Sequence, residues 1–152
     1  MKHILAAATL VAATLLSMAT ARAADFGVTP MMDGDSFIGC LAQNNRTGIG
    51  YLAVGDKLAL FANADAFAIT KGERVKGTWS VDGAAAAEFS STADSDKTVT
   101  IDVPNDAPTV TALTSGKELT VTANGIDVIL PLTGTEQAFT ELLTCMKENG
   151  GE

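Results

Sequence analysis

One dipeptide limits the folds open to this chain more than any other feature. Leu119, Val121 and Ala123 alternate with polar residues into Asn124-Gly125, and Ile126, Val128, Leu130 and Leu132 alternate out of it. A two-residue Asn-Gly turn needs positive φ at both positions, which these residues tolerate, and its twist matches that of paired strands. It sets Ala123 opposite Ile126, Val121 opposite Val128 and Leu119 opposite Leu130, so these six apolar side chains share one face. A hairpin with one greasy face has to lay it on a second layer.

The rest of the chain repeats the theme in short segments. Val75, Gly77, Trp79 and Val81 alternate with Arg74, Lys76, Thr78 and Ser80, the period of a half-buried strand. Asp82-Gly83 then leads to Ala85, Ala87 and Phe89. A two-residue turn would put Phe89 on the face opposite Trp79. A three-residue loop Val81-Asp82-Gly83 pairs Trp79 with Ala85 and Val75 with Phe89, and is the expected register. Lys97 to Val103 reads as a strand with Val99, Ile101 and Val103 facing in. Phe37 to Ala42, Tyr51 to Val54 and Lys57 to Ala62 are further strands, Asn105 to Pro108 a loop, and Thr109 to Leu113 fits neither pattern.

The periodicity changes once. Thr133-Gly134-Thr135-Glu136 fits a capping box, and Ala138, Phe139, Leu142, Leu143 and Met146 recur at helical spacing with Cys145 beside them. Asn149-Gly150-Gly151 ends a helix of about residues 134–148. The expected fold is mainly β: an antiparallel β-sandwich or partly open barrel of about seven to nine short strands, closed by one C-terminal α-helix.

At the other end Lys2 precedes an apolar run from Ile4 to Met18, followed by Ala21-Arg22-Ala23. Positive start, short apolar core and small residues are the order of a secretory signal peptide, so residues 1–23 are expected to be cleaved, leaving 24–152 as a single β-rich domain. The run is too short for a retained span, and stable membrane insertion is not expected. Gly39-Cys40 lies too far beyond it for lipid attachment. His3, the single histidine, leaves with the signal. The remaining chain has no imidazole to serve as general base, metal ligand or pH switch.

Cleavage leaves eight basic residues against eighteen acidic ones, a formal charge of −10. The carboxylates are scattered, which suits a solvated surface and opposes binding to nucleic acid or anionic lipid. The two cysteines, Cys40 and Cys145, allow one pairing, and in an oxidising periplasm or outside the cell a structural disulfide between them is expected.

Other candidates each meet a plainer explanation. Asp33-Gly34-Asp35 and Asp94-Ser95-Asp96 offer paired carboxylates to calcium but lack the spacing of a calcium loop. Ser36, Ser90 and Ser115 have no partner base and no G-x-S-x-G setting. Asp127 or Glu88 with another carboxylate suits glycosidase chemistry, but one Trp and one Tyr make a thin platform for sugar. Met31-Met32 with Met146 is a poor copper(I) set without histidine or a spare cysteine. Tyr51 and Trp79 read as core aromatics. No catalytic residue, metal or cofactor is assigned.

The run Leu119-Thr120-Val121, then Ile129-Leu130-Pro131-Leu132-Thr133-Gly134-Thr135, Ala138, Leu142 and Cys145, together with Cys40, resembles the ending of small secreted alphaproteobacterial proteins. In those a β-hairpin leads into L-x-G-[ST], a helix and a terminal cysteine. It is also distantly similar to the invasion-associated locus B proteins, although the extra cysteines expected of that family are missing. The resemblance implies an exported β-rich domain linked to the cell envelope or a host, and transfers no catalytic residue. The expected function is a non-enzymatic exported binding module whose partner is an envelope or extracellular protein. The alternatives are a small-ligand carrier using the space between sheet and helix, and a carboxylate-based hydrolase.

Overall fold

The computed structural model describes residues 26–150; the expected signal peptide and its cleavage site lie outside them. Nine strands and two helices follow one another within that span. They are β1 (Gly27–Asp33), β2 (Ser36–Asn44), β3 (Ile49–Val54), β4 (Lys57–Asn63), β5 (Arg74–Val81), β6 (Ala87–Thr92) and β7 (Thr98–Val103). Then come α1 (Ala107–Ser115), β8 (Glu118–Ala123), β9 (Ile126–Pro131) and α2 (Thr135–Asn149). The strands form a five-stranded sheet, β1-β2-β3-β4-β7, and a four-stranded sheet, β6-β5-β8-β9. Every pairing is antiparallel. The protein is mainly β, a sandwich with a C-terminal helix, as its alternating segments predict.

Register decides which side chains enter the core. Across the five-stranded sheet Ala42 pairs with Tyr51, Tyr51 with Leu60 and Leu60 with Ile101, and this row is buried. The opposing sheet supplies Val75, Trp79, Leu119, Val121 and Leu130. The two sheets meet where β6 runs beside β7. The Asn124-Gly125 hairpin has the expected register throughout, with φ of 49° and 81° at its two turn residues.

The Trp79 hairpin differs from expectation. Trp79 pairs with Ala87 and Gly77 with Phe89, not Trp79 with Ala85 and Val75 with Phe89. Asp82 and Gly83 both have positive φ, 49° and 72°, and the Ala84 N–H donates to the Val81 carbonyl at 2.9 Å, so the turn itself is the two-residue kind. An extra residue among Ala84–Ala86 then restores Phe89 to the Trp79 face. Three identical small side chains leave register free to slip there.

Two segments escaped the sequence pattern. β1 was not expected, so Cys40 lies in the second described strand, not the first. Its Pro30 sits on an edge strand, the place in a sheet where a missing N–H is tolerated. Asn105 to Pro108 is not wholly loop: Ala107 and Pro108 open α1, which continues through the ambiguous Thr109 to Leu113. Asp106 caps it by accepting from the Thr109 N–H at 2.8 Å, a bond that holds its carboxyl below the usual range.

The capping box before α2 does not form. Gly134 is the N-cap in left-handed conformation, with no side-chain cap bond. Thr135 is buried instead, its Oγ1 lying 3.3 Å from the Tyr51 hydroxyl. The helix buries Ala138, Phe139, Leu142 and Cys145 over β1 and β2, while Leu143, at 66% exposure, faces away. Cys145 is bonded to Cys40 with their Cα atoms 6.2 Å apart, the expected disulfide.

Candidate functional site

The sites weighed from the sequence are scattered by the fold. Glu88, Thr78, Thr122 and Asp127 form one row across the four-stranded sheet. The two carboxylates therefore stand three strand spacings apart, roughly 14 Å, beyond the ~5–9.5 Å that glycosidase pairs use. Asp127 instead accepts from Thr122 Oγ1 at 2.6 Å. Asp33-Gly34-Asp35 is the exposed β1–β2 turn. Asp94 accepts from the Thr100 hydroxyl on β7, and Asp96 accepts from the Lys71 N–H at 2.9 Å, so both carboxylates pin the β6–β7 loop to its surroundings. Among the described residues no three His, Cys, Asp or Glu side chains cluster as metal ligands.

The serines and methionines are equally dispersed. Ser36 opens β2, Ser90 accepts from Arg74 Nε at 3.1 Å, and Ser115 ends α1. Met31 and Met32 are consecutive strand residues facing opposite sides, and Met146 packs on the core from α2. Trp79 and Tyr51 are in the core.

What the fold does assemble lies on the outward face of the five-stranded sheet. Strand pairing aligns Gln43, Gly50, Phe61 and Thr100 in one row and Leu41, Leu52, Ala59 and Asp102 in the next. These residues alternate with the buried row, so they point away from the core. With no side chain at Gly50, the row opens into a hollow of about 270 Å³. Half-exposed Phe61 and Leu41 form its apolar walls. The β2–β3 turn closes one end, and Gly48 makes that closure possible: its φ is +77°, and a Cβ there would meet the Asn63 carbonyl oxygen at 2.2 Å. The Asn63 N–H donates to the Gly48 carbonyl at 2.7 Å, locking turn to strand.

The polar lining is almost all carboxamide. Gln43, Asn44, Asn45 and Asn63 line the hollow, four of the chain's eight Asn and Gln residues. Gln43 Nε2 donates to Asn45 Oδ1 at 2.7 Å, and Asn63 Nδ2 to Thr98 Oγ1 at 2.7 Å. Asn44, only 3% exposed, accepts from the Arg46 and Thr47 N–H groups at 3.0 and 3.2 Å through Oδ1. Its Nδ2 has no partner among the described residues. Each amide thus keeps a donor or an acceptor unspent. None of the residues lining the hollow is ionisable, although the chain as a whole is acidic. The sequence held a trace of this site in Gln43-Asn44-Asn45 at a strand end, but joining it to Phe61, Asn63 and Thr98 takes the strand order.

A second, more open groove of about 480 Å³ runs between α1 and the β5–β6 turn. Ala84, Ala85, Pro108, Ala112 and Gly116 form its sides. Trp79 lies on its floor at 9% exposure, with no hydrogen bond from its indole N–H among the described residues.

No family model and no curated protein matches the chain. Among solved structures it is similar to invasion associated protein B from Bartonella henselae, at 18% identity and a TM-score of 0.46 over 80% of this chain and 86% of that one.

Proposed function

We propose that the protein is an exported, non-enzymatic binding module of the bacterial envelope, and that it engages its partner through the hollow over Gly50. The observation that carries this reading is the lining itself: neutral amides with unspent hydrogen-bonding groups around a half-exposed aromatic ring. Unspent donors and acceptors in a concave site stabilise a complex only when a ligand matches them, so such a lining is chemistry for recognition. Export is supported by the charged start, apolar run and Ala21-Arg22-Ala23 site, and by the Cys40–Cys145 bond, which persists in oxidising compartments. Among the described residues no helix is long and apolar enough to cross a membrane.

Sedimentation of the exported protein with washed cell-envelope fragments tests the reading. Wild-type protein should pellet with the fragments, and the Phe61→Ala variant should stay largely in the supernatant. Equal retention of the two proteins, or retention of neither, counts against a binding site at the hollow.

The Trp79 groove favours a second reading, a carrier for a small neutral molecule bearing an oxygen acceptor for the free indole N–H. Asp82, the ionisable side chain lining it, is occupied by the Lys117 and Glu118 N–H groups at 3.0 and 2.9 Å. Native mass spectrometry of the purified protein should then show a copurified small molecule, which Ala112→Phe would displace.

A further inference from the structure

We infer that the hollow over Gly50 takes one ring of a neutral saccharide. This deepens the binding-module reading and rests on it. Three properties of the hollow select the ligand class. Its volume of about 270 Å³ falls just below the roughly 300–1,000 Å³ typical of sites for drug-sized molecules, which suits one six-membered ring and not a long or branched ligand.

Its polar groups are carboxamides and a threonine hydroxyl, groups that between them both donate and accept. A sugar hydroxyl also donates and accepts, so neighbouring hydroxyls can satisfy the Gln43–Asn45 pair on one side and the Asn63–Thr98 pair on the other. Each of those pairs holds one internal bond of 2.7 Å, which fixes the amide planes before a ligand arrives and lowers the entropy lost on binding.

The third property is the combination of one ring with no charge. Phe61 stands beside the space left by Gly50, its Cδ2 3.5 Å from where a Cβ would be. The C–H face of a pyranose can pack on it while the hydroxyls at the ring's edge reach the amides. No cation lines the hollow to balance an acidic sugar, and the formal charge of −10 after signal cleavage opposes one. A protein partner fits less well. Interfaces between proteins concentrate their energy in Trp, Tyr and Arg anchors, none of which lines this hollow.

Backbone-amide NMR of the exported protein, titrated separately with triacetylchitotriose, cellotriose and maltotriose, tests the inference. At least one trisaccharide should give saturable shifts centred on Gly48, Gly50, Phe61 and Asn63. Phe61→Ala should raise its Kd roughly tenfold, equivalent to about 1.4 kcal/mol. Gly50→Ala should do the same by raising the floor, and its new Cβ would meet only the Ala42 carbonyl oxygen closely, at 3.1 Å. Should that variant unfold, Gln43→Ala on the exposed rim replaces it. Shifts centred elsewhere, or affinities that the variants leave unchanged, overturn the inference. If no trisaccharide binds while envelope fragments still retain wild-type protein and not Phe61→Ala, the saccharide assignment falls and the binding-module reading stands. If the fragments retain neither, both fall.

Discussion

Tyr51 is the chain's single tyrosine, and it sits where sheet, N-terminal strand and C-terminal helix meet. Its ring lies 6.0 Å from that of Phe26 and 4.8 Å from that of Phe139. Burial pushes its phenol up to about 12 from 10.0, and the hydrogen bond with Thr135 offsets this only in part. Because the folded pKa lies above the unfolded one, the stability linked to the neutral phenol is fully present below pH 10. It is lost as pH rises through about 12, by roughly 2–3 kcal/mol. Urea unfolding between these limits should show that loss, and the tyrosinate absorbance of folded protein should rise only near the upper one. Tyr51→Phe should abolish the absorbance change and the phenol's share of the alkaline loss. It should also cost about 1–2 kcal/mol at neutral pH, since the Thr135 hydroxyl is left buried without its partner. A folded-state midpoint near 10 would show the phenol to be solvated.

At the scale of elements, β5 depends on a residue with no side chain. Gly77 is central to β5, between Phe89 on β6 and Ala123 on β8. A Cβ there would lie 1.8 Å from the Thr122 carbonyl oxygen and 2.9 Å from the Phe89 ring. Gly77→Ala must push two strands apart and should cost about 2 kcal/mol or more. Gly125→Ala meets no atom within 4 Å and should cost only the left-handed strain of about 1–2 kcal/mol. Urea midpoints for the two variants check the ranking, and equal losses would contradict it. The same elements show what could be read in advance. The Asn124-Gly125 hairpin was legible because large apolar residues stand on both strands and admit one register. The Asp82-Gly83 hairpin kept the correct face but slipped by two residues, since alanines carry no register information. α1 was hidden by β-branched Thr109, Val110 and Thr111, although Asp106 and Pro108 are both helix-start residues. Of the Gly50 hollow only the Gln43-Asn44-Asn45 run was visible, because β2, β3, β4 and β7 contribute to it and only their pairing order brings Gln43, Phe61 and Thr98 together.

Over the whole molecule, the Cys40–Cys145 bond spans 105 residues and encloses every strand from β3 to β9. Closing a loop of that length lowers the entropy of the unfolded chain by the equivalent of up to about 4–5 kcal/mol, with measured effects often smaller. Reduction should therefore lower the urea midpoint substantially. Whether it also frees α2 depends on what else holds that helix. Phe139 and Leu142 are buried on its first half, contributing roughly 1.5–3 kcal/mol each, and Thr135 adds its contact with Tyr51. That half should stay docked in the reduced protein. Beyond Leu142 the buried face consists of Cys145 with partly buried Met146, and Leu143 points to solvent. Hydrogen exchange of reduced and alkylated protein should accordingly show lost protection from Leu143 to Asn149, with protection kept from Ala138 to Leu142 and in both sheets. Release of the entire helix would mean that the disulfide, and not the packing of Phe139 and Leu142, docks it on β1 and β2. An unchanged midpoint on reduction would mean that the bond constrains the unfolded chain far less than its span implies.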